Sequence, residues 1–211
     1  MSLIAKSQGG SNIEPVPEDQ HTARCVLVAD IGTHDGAFGP KHQCIIGWEL
    51  PECTHVFDEA KGEEPRMLSC FYTVSLSEKA NLRKVLETWR GRAFTAEELD
   101  GFDLSNLLGV PCMLSVVHKT KPNGDVRSNV QSVSKLHKSI ECPPQVVPSR
   151  LFNLDESVQE ELQALPEWVQ GYIRKSAEYP AWVQRTGGGV IEPPTFAGEE
   201  PQETAQDVVP F

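Results

Sequence analysis

The order of the apolar, β-branched runs constrains the fold of this chain more than any other feature of its sequence. Three such runs come first, at 23–31, 43–50 and 67–74, and the loops between them are rich in glycine, proline and acidic residues. Two more runs follow, at 112–119 and 126–136, and Asn123-Gly124 lies in the short connection between them. Runs of this kind predict strands, and Asn-Gly between two of them predicts a β-hairpin.

A helical segment separates the third predicted strand from the fourth. Its apolar residues recur at helical intervals from Leu76 to Trp89, and Ser75 and Glu78 have the spacing of a capping box. Thr95 and Glu98 repeat that spacing and predict a second, short helix. Three strands, a helix and two strands is the order of a five-stranded OB-fold barrel, although short β domains of other topology can give the same order. We therefore predict a mainly β chain with helices, and an OB barrel (β-β-β-α-β-β) within residues 21–150.

The segments outside the predicted barrel have different compositions. Residues 1–20 contain one lysine and no apolar stretch of the kind found in secretory signals, and they predict a disordered leader. Residues 151–179 carry apolar side chains at helical spacing, which predicts an amphipathic helical extension. Residues 180–211 contain three consecutive glycines, a Pro-Pro pair and several glutamates, which predict a flexible acidic tail.

The charge of the chain is distributed unevenly. The net charge is -11, but residues 101–150 carry six basic residues against three acidic ones, whereas residues 187–211 carry five acids and no base. A locally basic body with an acidic tail suits a protein that binds nucleic acid on the body and proteins through the tail. Acidic surface charge that only keeps the chain soluble would explain the net charge. It would not explain why the basic and acidic residues lie in separate segments. No apolar run approaches the ~18 residues of a membrane span, so we expect no membrane partner.

The six cysteines are spread singly along the chain, without a CxxC pair. That spacing argues against a zinc site and against a dense disulfide framework. Cys25, Cys44, Cys70 and Cys112 lie within apolar runs, where thiols usually behave as small buried hydrophobes. A reducing cytoplasm fits this pattern best.

The chain ends in Asp207-Val208-Val209-Pro210-Phe211, a tip with a physical rationale of its own. An aromatic ring beside the terminal carboxylate can anchor in an apolar pocket with a basic rim, and proline stiffens the approach to it. The alternative is a terminus that ends in Phe by accident.

An acidic tail that finishes in Pro-Phe resembles the tip of bacterial-type single-stranded DNA-binding proteins. Residues 82–95, 101–104 and 107–109 are in addition similar to small phage proteins kept with replication and recombination genes. The resemblance implies an OB-fold core that binds single-stranded DNA, and a tip that recruits replication, recombination and repair proteins in the bacterial cytoplasm. The chain departs from the family at Val208-Val209, where the family carries more aspartates, and in beginning well before the barrel.

Binding of single strands needs cations along the backbone and exposed aromatic faces on which bases stack. OB folds place these groups on strands two and three and on the loops that join strands one to two and four to five. In the first loop, Phe38 is expected either to stack on bases or to cover the barrel end, and Lys41 and His42 adjoin it. Near the second loop, the candidate phosphate contacts, which could equally belong to a solvated turn, are Lys119, Lys121 and Arg127.

Four further residues complete the predicted DNA-binding set. Trp48 shares a face of strand two with Cys44 and Ile46, so it is either a core residue or a base platform. On strand three, Tyr72 is expected to point outward because its hydroxyl tolerates water. Arg90 and Arg92 follow the helix, where they could bind phosphate or simply suit a helix C-terminus.

Other classes of function have weaker support in the sequence. Asp30, His34 and Asp35 could form a metal cluster, and Cys44 with His42 could imitate a thiol-base pair, but neither has a recognised motif around it. We therefore expect no catalysis, no metal and no cofactor. The alternative is a non-enzymatic interaction module, such as a phage structural or decoy protein that acts through the tail without DNA. The sequence does not distinguish a protein that coats single strands from one that also anneals them. We expect a small homo-oligomer.

Overall fold

The computed structural model describes residues 14–187, which form a largely antiparallel six-stranded sheet with five α-helices. The strands are β1 (Gln20–Gly36), β2 (Gly39–Asp58), β3 (Gly62–Thr73), β4 (Pro111–Thr120), β5 (Val126–Lys135) and β6 (Arg150–Phe152). The helices are α1 (Asn81–Arg90), α2 (Ala96–Asp100), α3 (Gln159–Ala164), α4 (Glu167–Arg174) and α5 (Tyr179–Thr186), and a short 3-10 helix spans Leu104–Leu107.

The strands are hydrogen-bonded in the order β3-β2-β1-β4-β5, and β6 pairs with β1 in parallel beside Leu27–Ala29. Within residues 14–187 no ladder joins β3 to β5, so the sheet is not closed into a barrel. The predicted mainly β composition is confirmed, and each of the five predicted strands has its counterpart. The sequence pattern does not predict β6, because a three-residue strand carries no usable periodicity.

β2 is much longer than the predicted run 43–50. Its last partner on β1 is Arg24, which pairs with Glu49, whereas its pairing with β3 continues to Asp58. A shift of register lies between Leu50 and Thr54. Residues 54–65 therefore form a two-stranded hairpin beyond the edge of β1. The sequence pattern does not predict this hairpin as strand because acidic residues interrupt its apolar pattern.

The sheet carries a hydrophobic core on each face. Cys44, Ile46 and Trp48 of β2 face one core together with α1, whereas Ile45 faces the other core together with the C-terminal helices. Because both faces are covered, every residue from 44 to 50 is buried. Antiparallel strands usually alternate between apolar and polar residues, but a strand that is buried on both faces is apolar at nearly every position. This explains the near-continuous apolar run of β2.

The two predicted capping boxes differ in outcome. Thr95 and Glu98 form the predicted box at the start of α2. The box predicted at Ser75 and Glu78 is wrong, since α1 begins at Asn81 after Ala80, which caps it without a side-chain hydrogen bond. The Ser75 hydroxyl instead hydrogen-bonds Ser77, in the turn that leads to the helix.

Both predicted boundaries of the ordered body are corrected. The prediction places disorder up to residue 20, but Val16 lies in the core and its carbonyl accepts hydrogen bonds from His118 and Ser128. The prediction places the flexible tail from residue 180, but α5 continues to Thr186 and buries Trp182. Proline is tolerated in the first turn of a helix, which is why Pro180 does not end this one. The rest of the leader and the tail, 1–13 and 188–211, lie outside the described residues.

Gly32 allows the start of α5 to approach the sheet closely. It has a φ of +77°, and a Cβ placed on it would lie 2.5 Å from the Ser176 Cβ and 2.6 Å from the Glu178 Oε2. Only glycine combines this left-handed backbone with that space. The contact fixes the C-terminal helices against the β1–β2 hairpin.

Candidate nucleic-acid interface

The β4–β5 hairpin concentrates positive charge. The turn is closed by a hydrogen bond from the Lys121 amide to the Asp125 carbonyl, and Gly124 adopts a φ of +90° there. Lys119 and Arg127 are exposed and directly opposite each other in the ladder. Like charges at directly opposed positions of a sheet are destabilising, and an anion bound beside both would reduce that repulsion. We call residues 119–127 the cationic hairpin.

The cationic hairpin reaches towards β3. Burial raises the pKa of Cys70, on β3, to about 11, while a hydrogen bond with Tyr72 and the positive charge of Lys119 act in the opposite direction. β5, the strand that carries Arg127, contacts β3, although no ladder joins these two strands within the described residues.

The β1–β2 turn presents Phe38 to solvent. Its side chain is 82% exposed, which excludes the alternative that it covers an end of the sheet. The Lys41 Nζ lies 5.6 Å from the centroid of the Phe38 ring, which is within the range of a cation–π contact. A ring and a cation are thus held together at the tip of the hairpin.

His42 belongs to a network that links the sheet to α5. Its Nε2 lies 2.8 Å from the Asp30 carboxylate, and its Nδ1 lies 3.8 Å from the Glu178 carboxylate. Glu178 also accepts hydrogen bonds from the Thr33 amide at 2.7 Å and the Thr33 hydroxyl at 2.5 Å. Burial raises the pKa of Asp30. Burial acts in the same direction on Glu178, but the hydrogen bonds from Thr33 outweigh this effect and lower the pKa of Glu178. His42 therefore holds elements together, although part of its side chain remains exposed.

Trp48 and Tyr72 do not lie on the surface. Trp48 is fully buried and packs 5.9 Å from Trp89, and Tyr72 lies in the same core. The expected outward orientation of Tyr72 is wrong, because Tyr72 pairs with Cys44 across the ladder and shares its inward face. Burial also raises the pKa of Tyr72. Because both are buried, neither the Trp48 ring nor the Tyr72 ring is available to stack on a base.

Arg90 and Arg92 both bind Glu98 at the start of α2. Arg92 donates to the two carboxylate oxygens at 2.8 and 2.7 Å, and Arg90 donates to one of them. Arg90 also lies over the rings of Phe94 and Phe102, at 4.4 and 5.1 Å from their centroids. The hydrogen bonds from Arg92 and the Thr95 amide lower the pKa of Glu98 to about 2. This geometry gives both arginines a structural role in joining α1 to α2, and leaves only Arg92 well exposed.

An aromatic cluster that the sequence pattern does not predict as a site lies on the opposite face of the sheet from Trp48. Phe71 of β3 meets Tyr172 of α4 at a centroid distance of 4.9 Å, and Trp168 lies 6.3 Å from each. The spacing of Trp168 and Tyr172, four residues apart on a helix, is visible in the sequence. Their proximity to Phe71 is not, because it depends on where α4 docks.

The remaining candidate features are the Cys44–His42 pair, a metal cluster, a membrane-spanning helix and the C-terminal tip. Burial raises the pKa of Cys44 to about 12, so its thiol is protonated at neutral pH, and the His42 ring is directed to Asp30. Between residues 14 and 187, no three His, Cys, Asp or Glu side chains are placed to hold a metal ion. No helix in that range has the length and apolar character to cross a membrane. The tip, 207–211, lies outside the described residues.

Comparison of the chain with protein families finds no matching family model, and comparison with curated proteins finds no matching sequence.

Proposed function

We propose that this chain is an OB-type protein that binds single-stranded DNA with little sequence preference. It coats and protects exposed strands during DNA replication, recombination or repair, including that of a phage, and recruits partner proteins through its C-terminal tip. The observation that carries the proposal is the opposed pair Lys119 and Arg127, two exposed cations held together in a chain with a net charge of -11. Backbone phosphates are the anions that such a pair would bind.

The topology supports the same proposal. The order β3-β2-β1-β4-β5, with α1 between β3 and β4, corresponds to the connectivity of a five-stranded, partly open OB barrel. In that fold the β1–β2 and β4–β5 loops bind oligonucleotides. Here those loops carry Phe38 with Lys41, and Lys119 with Lys121 and Arg127.

The cysteines support a reducing compartment such as the bacterial cytoplasm. All six are free, and burial raises the pKa of Cys25 and Cys44 to about 12. Structural disulfides are typical of secreted proteins, whereas free buried thiols are typical of cytosolic ones.

Direct titration tests the proposal. Fluorescence anisotropy of labelled oligo-dT and of a matching duplex would be measured at two salt concentrations. We expect tighter binding of the single strand, with an affinity that falls as salt rises because bound counterions are released. Absence of binding to both ligands at low salt would show that the proposal is wrong, and would leave the acidic tail as the functional lead.

The tip is tested by deletion of residues 207–211. Because the cations of the proposed DNA surface are untouched, we expect the affinity for oligo-dT to stay within about twofold, and recruitment of replication or repair proteins to be lost. Co-purification of defined partner proteins with the full chain, the deletion variant and Phe211→Ala measures the second effect, and Thr195→Ala, in the tail but outside the tip, is the control. A deletion variant that retains its partners would refute the role of the tip.

A further inference from the structure

The aromatic cluster of Phe71, Trp168 and Tyr172 is partly open to solvent. Trp168 is 42% exposed, while Phe71 and Tyr172 are half-buried beside it. The rings meet at steep angles, 69° between Phe71 and Tyr172 and 86° between Trp168 and Tyr172. Such edge-to-face packing orients the rings and leaves part of the Trp168 surface uncovered.

Docking of α4 on the sheet rests mainly on residues other than Trp168. Val169 and Ile173 are fully buried in the core formed with β1 and β2, and they already fix the helix. Trp168 lies outside this stripe, at the rim. A tryptophan that stays partly exposed beside two other rings, while buried residues fix its helix, suggests a surface that binds an apolar, planar ligand.

Cations lie along the same surface. Trp168, Tyr172 and Lys175 are spaced i, i+4 and i+7, so they share one side of α4 and its C-terminal end, and Lys175 is exposed. On the other side, Tyr172 contacts His34 at a centroid distance of 6.3 Å, and His34 pairs with Lys41 across the β1–β2 ladder. The cluster is therefore continuous with the hairpin that carries Phe38.

Rings combined with nearby cations are the chemistry that proteins use to hold single-stranded nucleic acid without reading its sequence. We propose that this aromatic cluster stacks the bases of single-stranded DNA, and that α4 thereby supplies a second binding surface in addition to the cationic hairpin. This inference rests on the proposed single-strand binding. Since Asp35 and Glu167 are exposed nearby, stacking contributes more than charge at this surface.

Trp168 also provides a specific optical signal. The chain has four tryptophans, and Trp48, Trp89 and Trp182 are buried in the two cores. A base stacked on Trp168 would quench its fluorescence and leave that of the others unchanged. Titration of the full chain with unlabelled oligo-dT therefore reports contact at Trp168. We expect quenching in the wild type and its loss in Trp168→Phe, whose ring still supports stacking.

Affinity gives the second readout. We expect Trp168→Ala to weaken binding of oligo-dT about tenfold, which corresponds to about 1.4 kcal/mol and to the loss of one stacked base. The salt dependence should not change, because no cation is removed. Phe57→Ala is the matched control, since Phe57 is similarly exposed on the acidic 54–65 hairpin and its replacement is expected to have no effect. Thermal unfolding of each variant checks that the fold is intact.

The outcomes separate this inference from the proposed function. If the wild type binds oligo-dT without tryptophan quenching, and Trp168→Ala binds as tightly as the wild type, the cluster is not a base platform but the proposed function stands. If the wild type binds no single strand at all, both are refuted. If Trp168→Ala does not fold, comparison of the wild type with Trp168→Phe still tests the inference. Quenching that is lost in Trp168→Phe supports stacking of a base on Trp168, and quenching that is retained refutes it.

Discussion

Replacement of both Lys119 and Arg127 by glutamate is expected to weaken binding of oligo-dT about 100-fold at low salt. Each cation is proposed to make one charge-assisted hydrogen bond to a phosphate, and removal of both bonds, at about 1.5 kcal/mol each, gives this factor. The slope of log affinity against log salt should fall by about 1.4, because ~0.7 counterions are released per phosphate neutralised on a single strand. Anisotropy titrations at four salt concentrations measure both quantities.

A control must separate local contacts from the overall charge. Lys61→Glu with Lys138→Glu produces the same change in net charge at two exposed lysines outside the cationic hairpin. We expect this control to bind with much less reduction in affinity and to keep its salt slope. Equal reductions in the two double variants would mean that the protein responds only to net charge, and would remove the hairpin from the binding surface.

Replacement of Glu49 by alanine is expected to lower the free energy of unfolding by about 3 kcal/mol. Glu49 is completely buried, and its carboxylate accepts hydrogen bonds from the amides of Val146, at 3.1 Å, and Val147, at 2.7 Å. Alanine would remove the acceptor of both amides, and hydrogen bonds to a charged group contribute about 1.5–3 kcal/mol each. Urea unfolding followed by far-UV circular dichroism measures the change.

Two further variants show whether the destabilisation comes from these hydrogen bonds. Glu49→Gln keeps the volume of the side chain and one acceptor oxygen, so it should be destabilised less than the alanine variant. Glu59→Ala removes an exposed acid and should stay within about 0.5 kcal/mol of the wild type. A stability of Glu49→Ala equal to that of Glu59→Ala would show that the carboxylate does not hold residues 146–147 in place.

These hydrogen bonds matter for function because residues 141–149 lead to β6 and the C-terminal helices. Arg24 holds the same segment from β1, donating to the Pro143 carbonyl at 3.0 Å. The two attachments hold the segment that enters β6, which pairs with β1 ahead of the C-terminal helices.

Most of the strands could be predicted from local sequence, but only part of the candidate site could. The Asn123-Gly124 hairpin and the alternation of Cys44, Ile46 and Trp48 against Ile45 follow from local turn chemistry and a period of two. Alternation with a period of two does not show which face of a strand points into the core. The prediction for Tyr72 is wrong for this reason, since the orientation of this side chain is set by its pairing with Cys44 on β2.

The sequence by itself determined the mainly β composition, the order of the elements and the positive charge of the β4–β5 hairpin. Those properties depend on residues close together in the chain. Only the tertiary structure decided that Lys119 opposes Arg127, that Glu98 occupies Arg90 and Arg92, and that α4 brings Trp168 to Phe71. These contacts join residues of different elements, and the docking of helices on a sheet depends on the shape of the whole core rather than on any local pattern.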